Sequence, residues 1–146
     1  MKKGFTIIEL VIVISVLIIL IGIAIPRMKG MQQAGNIVKA KGELQTLQAA
    51  IESYYNNAVT PHLYSPSSTK PSAVYFVSAT PQIITSAMYD PFAATSTTEY
   101  DELTNGSYYA FASVGTGTDL STFTISSTGV VTVATGNICV TNGSGC

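Results

Sequence analysis

Few side chains in this sequence can do chemistry, and their spacing limits what that chemistry is. His62 is the only histidine, and it sits between Pro61 and Leu63 in a stretch that reads as loop. The two cysteines, Cys139 and Cys146, stand together at the C-terminal end, with Gly143 and Gly145 between them. One histidine and two distant thiols do not give the paired spacing that zinc takes. No serine, threonine or cysteine can be matched with a base to make an activated nucleophile, so the residues point away from an enzyme. Glu9 is the remaining oddity, because it is the only charge between Phe5 and Ile25.

Overall charge excludes a further class. The 146 residues carry seven Lys and Arg against eight Asp and Glu, for a formal charge of −1. A nucleic-acid binder rests on phosphate neutralisation by a basic surface, and none is expected here. Charged residues make up 10% of the chain, well under the roughly 25% of a typical soluble domain. The deficit lies at the start.

Residues Phe5 to Ile25 are long enough, at about 20 residues, to cross a bilayer core as a helix. In lipid every backbone group must be satisfied internally, so this Ile- and Val-rich run reads as helix rather than strand. The apolar run is longer than a secretory signal core, and Ile25-Pro26-Arg27 is not a small-residue cleavage site. Charges flank it on both sides, Lys2 and Lys3 against Arg27, Lys29, Lys39 and Lys41, so composition alone does not orient it.

A second helical piece follows. Ile37, Ala40, Leu44, Leu47, Ile51, Tyr54 and Ala58 keep a 3-4 spacing and fall on one stripe. Lys39, Lys41, Glu43, Gln45, Gln48 and Glu52 fall elsewhere, which makes residues 26–58 the amphipathic half of one long helix. Gly22 and Pro26 predict a kink or break between the halves. Lys39 and Glu43, four apart, read as a solvated helix pair or a subunit contact.

Asn56, Asn57 and Pro61 end the helix, and residues 59–146 make a loop region and a β-rich end. A short strand is predicted at Val74–Val77, and Asp90-Pro91 marks a turn. Strands are predicted at Ser107–Val114, Ser121–Ser127, Val130–Thr135 and Ile138–Thr141, with a tight hairpin turn at Ser127-Thr128-Gly129. The fold class is α+β, a long N-terminal helix packed on a small C-terminal antiparallel sheet. Cys139 and Cys146 close a small ring, stay as two thiols, or link subunits; the ring is the expectation outside a reducing cytosol. Asn105-Gly106-Ser107 and Asn142-Gly143-Ser144 match the N-glycosylation pattern, one that arises readily in sequence this rich in Ser, Thr and Gly.

Gly4-Phe5-Thr6-Ile7-Ile8-Glu9-Leu10, preceded by two lysines and followed by an aliphatic run, resembles the class III signal of type IV prepilins. The resemblance implies a leader of residues 1–4, removed by a prepilin peptidase between Gly4 and Phe5, with methylation of the new Phe5 amine. It also implies an anchor with its N-terminus in the cytoplasm, a pilin lollipop, and Glu9 setting subunit register. The implied partners are further copies of the chain, an inner-membrane assembly platform, and minor pilins or pseudopilins. Tyr89-Asp90-Pro91-Phe92 followed by Tyr108–Gly115 is similar to the major pseudopilins of type II secretion systems, although Phe92-Ala93 replaces their Trp-Gly. Many such proteins bind calcium in a C-terminal loop, which here offers the single carboxylate Asp119. A C-terminal disulfide is typical instead of type IV pilus pilins. Two filament functions therefore stand beside a third reading, an anchored binding domain that never polymerises.

Overall fold

The computed structural model describes residues 4–57, 64, 73–80 and 82–146. Lys2, Lys3, Ala58, His62 and the prolines at 61, 66 and 71 lie outside the described residues. By its contacts the chain divides into two units, one up to Gly35 and one from Asn36 to Cys146.

Helix α1 runs from Ile7 to Asn57, 51 residues without interruption. Thr6 stands at its N-cap, where its carbonyl accepts from the amides of Glu9 (3.1 Å) and Leu10 (3.2 Å). Glu9 is the acid of the first turn, the end of a helix that favours negative charge. At the other end the Asn57 side-chain amide donates to the Ser53 carbonyl at 2.9 Å and satisfies one of the last orphaned acceptors.

The break expected at Gly22 and Pro26 is absent, and α1 is helical through both. Proline removes one bond of the ladder, the one that its amide would have made to residue 22. Here residue 22 is glycine, whose backbone yields most easily, and the turns on either side keep their own hydrogen bonds.

In the second unit, Ala40, Leu44, Leu47, Ala50 and Ile51 of α1 are buried against Tyr64, Phe76, Ile84, Tyr100, Tyr109 and Phe111. This is the predicted stripe, with Ile37 and Tyr54 only half-buried. Burying each large aliphatic side chain contributes about 1.5–3 kcal/mol, enough to hold a helix against a small sheet.

The strands are β1 (Asp101–Thr104), β2 (Tyr109–Ser113), β3 (Thr124–Ile125), β4 (Val131–Thr132) and β5 (Ile138–Thr141). They form an antiparallel three-stranded sheet, β1-β2-β5, and a separate two-stranded ribbon, β3-β4. Every residue of the central strand β2 is buried. Its register pairs Phe111 with Glu102 on one side and Val140 on the other. β5 keeps its predicted bounds, whereas β2, β3 and β4 are shorter than predicted. β1 was not predicted.

The strand expected at Val74–Val77 is instead part of a short helix, α2 (Ala73–Ser78). Strand propensity needs a neighbouring strand to pair with, whereas a turn of helix satisfies its own backbone. Phe76 is fully buried, and its carbonyl accepts from the amides of Ile83 and Ile84. The predicted turn at Ser127–Gly129 is present: Ser126 and Val130 are joined by a backbone bond of 2.9 Å and Gly129 takes φ +79°. A β-carbon on Gly129 would lie 2.5 Å from the Tyr108 ring, so both conformation and space require glycine there.

Candidate functional site

The first unit presents apolar side chains on every face. Phe5 is 83% exposed and Ile7 85%, and the aliphatic residues from Ile8 to Ile25 are all exposed. α1 is long and apolar enough near its N-terminus to cross a membrane. Its polar groups are handled locally: the Ser15 hydroxyl donates to the Val11 carbonyl at 2.7 Å. The Thr6 hydroxyl points at Glu9 Oε2 from 3.5 Å, a long contact with a neutral group that leaves the carboxylate's charge uncompensated. Gly4 and Phe5 precede the helix and are exposed, so the peptide bond between them lies outside any helical ladder.

Two other carboxylates of α1 do something that the stripe did not reveal. Glu43 and Glu52 were expected on the solvent side with Lys39, Lys41, Gln45 and Gln48. Lys39, Lys41 and Gln45 are exposed there, but Glu43, Gln48 and Glu52 are half-buried. The Tyr100 hydroxyl donates to Glu43 Oε2 at 2.5 Å, and those of Tyr109 and Tyr64 donate to Glu52 at 3.0 and 3.2 Å. Lys39 lies 3.8 Å from Glu43 Oε1, the expected helix pair. Tyr64 also stacks on Tyr55, with ring centroids 4.4 Å apart, and meets Tyr109 edge-on at 4.9 Å. Charge-assisted bonds thus fix where the helix sits along the sheet, which apolar burial alone does not do.

Burial pushes the Tyr64, Tyr100 and Tyr109 phenols above their ordinary value, and the neighbouring glutamates push the same way. The unfolded chain ionises its tyrosines near pH 10.0, whereas the folded chain keeps Tyr100 and Tyr109 protonated well above it. Their stabilisation is fully present below that pH and is lost above it, at about 1.4 kcal/mol per pH unit for each tyrosine held. Unfolding followed from pH 8 to 11.5 is expected to show a flat stability and then a fall. The fall should be shallower in Tyr100→Phe.

Asp90, unlike Glu43 and Glu52, is an acid buried outright. It is 5% exposed, and one carboxylate oxygen accepts from the Ser113 hydroxyl at 2.8 Å and the Phe92 amide at 2.9 Å. The other accepts from the Val114 amide at 3.2 Å. These bonds bring the Tyr89–Phe92 segment to the end of β2, so the two stretches singled out in the sequence meet at one carboxylate. Removing a buried acceptor strands its donors, so Asp90→Ala should cost about 2–4 kcal/mol in equilibrium unfolding of the full chain. Asp90→Asn, which keeps an acceptor, should cost clearly less.

Asp119 lies on an exposed turn. Its Oδ1 accepts from the Ser121 hydroxyl at 2.6 Å and the Ser121 amide at 2.9 Å, which hold the carboxyl below its ordinary range. Among the described residues no cluster of three His, Cys, Asp or Glu side chains that could hold a metal ion forms, at Asp119 or elsewhere.

Cys139 and Cys146 are joined in a disulfide within the chain, with Cα atoms 5.4 Å apart. The ring shapes the tail after β5. The Val131 amide donates to the Ser144 carbonyl at 2.8 Å, and the Ser144 amide to the Gly129 carbonyl at 3.1 Å. The tail therefore lies alongside the start of β4, and Val130 and Ser144 form a parallel bridge. A β-carbon on Gly143 would lie 2.0 Å from the Gly129 carbonyl oxygen, a distance that only glycine permits. The disulfide thus ties the ribbon β3-β4 to the sheet through β5.

No family model, curated protein or solved structure matches the chain.

Proposed function

We propose that the chain is the structural subunit of a type IV-type filament, made as a prepilin and cleaved between Gly4 and Phe5. The observation that carries this reading is a helix start that leaves the Gly4–Phe5 bond exposed, followed by an all-round apolar helix with one charge, Glu9. A peptidase needs an extended, accessible bond, and that bond sits one residue before the N-cap. Cleavage gives Phe5 a free amine, which methylation leaves basic.

A carboxylate in the bilayer core costs about 2.5–3.5 kcal/mol, and Thr6 offers only a neutral partner. The Phe5 amine of a neighbouring subunit, displaced along the filament, compensates that charge. Glu9 thereby sets register, because every misaligned neighbour leaves a buried charge unpaired. Before assembly the chain is a single-pass protein of the inner membrane, with its N-terminus cytoplasmic. It then leaves the membrane on an assembly platform, together with minor pilins or pseudopilins, and the apolar helices pass from lipid to protein.

Within this reading we take the chain as a major pseudopilin-like component of a type II secretion system. The Tyr89–Phe92 and Tyr108–Gly115 stretches, joined through Asp90, support that choice. The Cys139–Cys146 ring favours a second reading, a pilin of a surface pilus used for adhesion, motility or DNA uptake. Fractionation of the native host tests the class: filaments built from this chain are expected at the surface or in the periplasm. If the chain stays a monomer in the membrane under all growth conditions, it is an anchored binding domain instead.

A further inference from the structure

The tripeptide Asn-Gly-Ser occurs twice, at Asn105-Gly106-Ser107 and Asn142-Gly143-Ser144. Asn-Gly is the pair at which a backbone most readily attacks a side chain. The amide nitrogen of the glycine bonds to the asparagine Cγ and loses its proton, and the Cγ–Nδ2 bond breaks to release ammonia. A five-membered succinimide results. Water then opens either of its two carbonyl bonds, to leave aspartate or isoaspartate. No oxidant or cofactor is needed. Because the two tripeptides are identical, their intrinsic rates in an unfolded chain are equal, and any difference in the folded chain comes from structure.

The structure treats the two sites differently. Both asparagine side chains are hydrogen-bonded, and what sets Asn142 apart is that its attacking nitrogen is engaged as well. Asn142 Oδ1 accepts from the amide of the buried Tyr109 at 2.9 Å, and its Nδ2 donates to the Ser107 carbonyl at 3.3 Å. The attacking nitrogen, Gly143 N, is itself spent on the Thr141 hydroxyl at 3.0 Å. The site also lies inside the Cys139–Cys146 ring, where the backbone has little freedom to bring nitrogen and carbon together.

At Asn105 the residue is exposed, and among the described residues no hydrogen bond engages the Gly106 amide. Two backbone amides converge on Asn105 Oδ1, Ser107 N at 3.2 Å and Tyr108 N at 2.9 Å. They polarise the carbonyl and stand where negative charge grows as the nitrogen attacks, the arrangement that oxyanion-stabilising donors make elsewhere. We propose that Asn105–Gly106 is a self-modification site of the folded chain, and that the same dipeptide at Asn142–Gly143 is held closed.

The consequence is local and chemical. Asn105 Nδ2 donates to the Ser126 carbonyl at 2.7 Å, which ties the β1–β2 turn to the chain just after β3. A carboxylate at 105 has no proton to give, and its charge faces that carbonyl oxygen. Conversion therefore cuts this tie and adds one negative charge to the outside of the sheet.

The test is to age the intact, oxidised full-length chain in detergent at mildly alkaline pH and map peptides by mass. Conversion is a gain of one dalton, with isoaspartate in the product. Asn105 is expected to convert at least about tenfold faster than Asn142, since the Gly143 nitrogen must first give up its bond to Thr141 Oγ1 inside a closed ring. In strong denaturant, with the disulfide reduced, the two rates are expected to become equal. Equal rates in the folded chain, or faster conversion at Asn142, would overturn the proposal. So would a folded chain that stays intact at both sites while the denatured one converts, or a difference that survives denaturation.

Discussion

Glu9→Leu is expected to abolish ordered assembly while leaving membrane insertion and cleavage after Gly4 intact. The substitution removes a charge from an apolar helix, so the subunit enters the bilayer at least as readily as before. What it loses is the penalty of about 2.5–3.5 kcal/mol on a misplaced carboxylate, and with it the preference for one register. At about 1.4 kcal/mol per factor of ten, that preference amounts to roughly two orders of magnitude between aligned and misaligned neighbours. Filament yield, measured against membrane-held subunit by quantitative immunoblotting, should fall by about that much. Glu9→Gln should fall nearly as far, because the amide keeps the Thr6 contact and the shape but not the charge. Normal filaments from both variants would remove Glu9 from the account.

The second large effect is at the other end of the chain. Replacing Cys139 and Cys146 together by serine should destabilise the second unit by about 2.5 kcal/mol, the chain-entropy value for a ring of this size. More follows locally, since the tail carries the Ser144 bonds to Gly129 and Val131 and has no other covalent hold. Among the described residues the free tail leaves β4 hydrogen-bonded to β3 alone, and a two-stranded ribbon is weak in water, so the hold falls to the packing of Val131 against Ala110, Ala112 and Phe123. Amide exchange should therefore rise first in β3 and β4, ahead of β2. Equilibrium unfolding of the oxidised chain against the double serine variant gives the magnitude. A change under about 0.5 kcal/mol would show that the ring is ornamental to stability.

Periodicity made the helix legible. Ala40, Leu44, Leu47 and Ile51 keep their spacing because only one face meets the sheet, and the burial follows that spacing. β5 was legible in full, whereas β2, β3 and β4 were legible in place but not in length, because Gly115, Gly129 and Gly136 take positive φ near their ends. β1 was hidden because Asp101-Glu102-Leu103-Thr104 has no strand composition; β2 recruits it through backbone pairing. The run Val74–Val77 misled for the converse reason, since it has strand composition and no strand beside it.

At Pro26 the helix runs on where a kink or break was expected. The cost of a proline falls on the carbonyl four residues back, and here that residue is Gly22.

The tyrosine–glutamate bonds were beyond reach of any local pattern. Tyr100 to Glu43 and Tyr109 to Glu52 each span 57 residues. Both carboxylates sit on the flank of the buried stripe, where sequence alone reads them as solvated. Asp90 was more accessible: it stood out before a proline, and only its partners Ser113 and Val114 had to come from the fold. The disulfide was one of three outcomes that the cysteine spacing allowed, and the ring is the one present.

The most direct measurement is the intact and N-terminal mass of the chain taken from its native membrane, with and without reduction. The account requires a chain that begins at Phe5 with a methylated amine and that gains two daltons when Cys139–Cys146 is reduced. A chain still beginning at Met1 in that membrane would contradict it, and with it the filament.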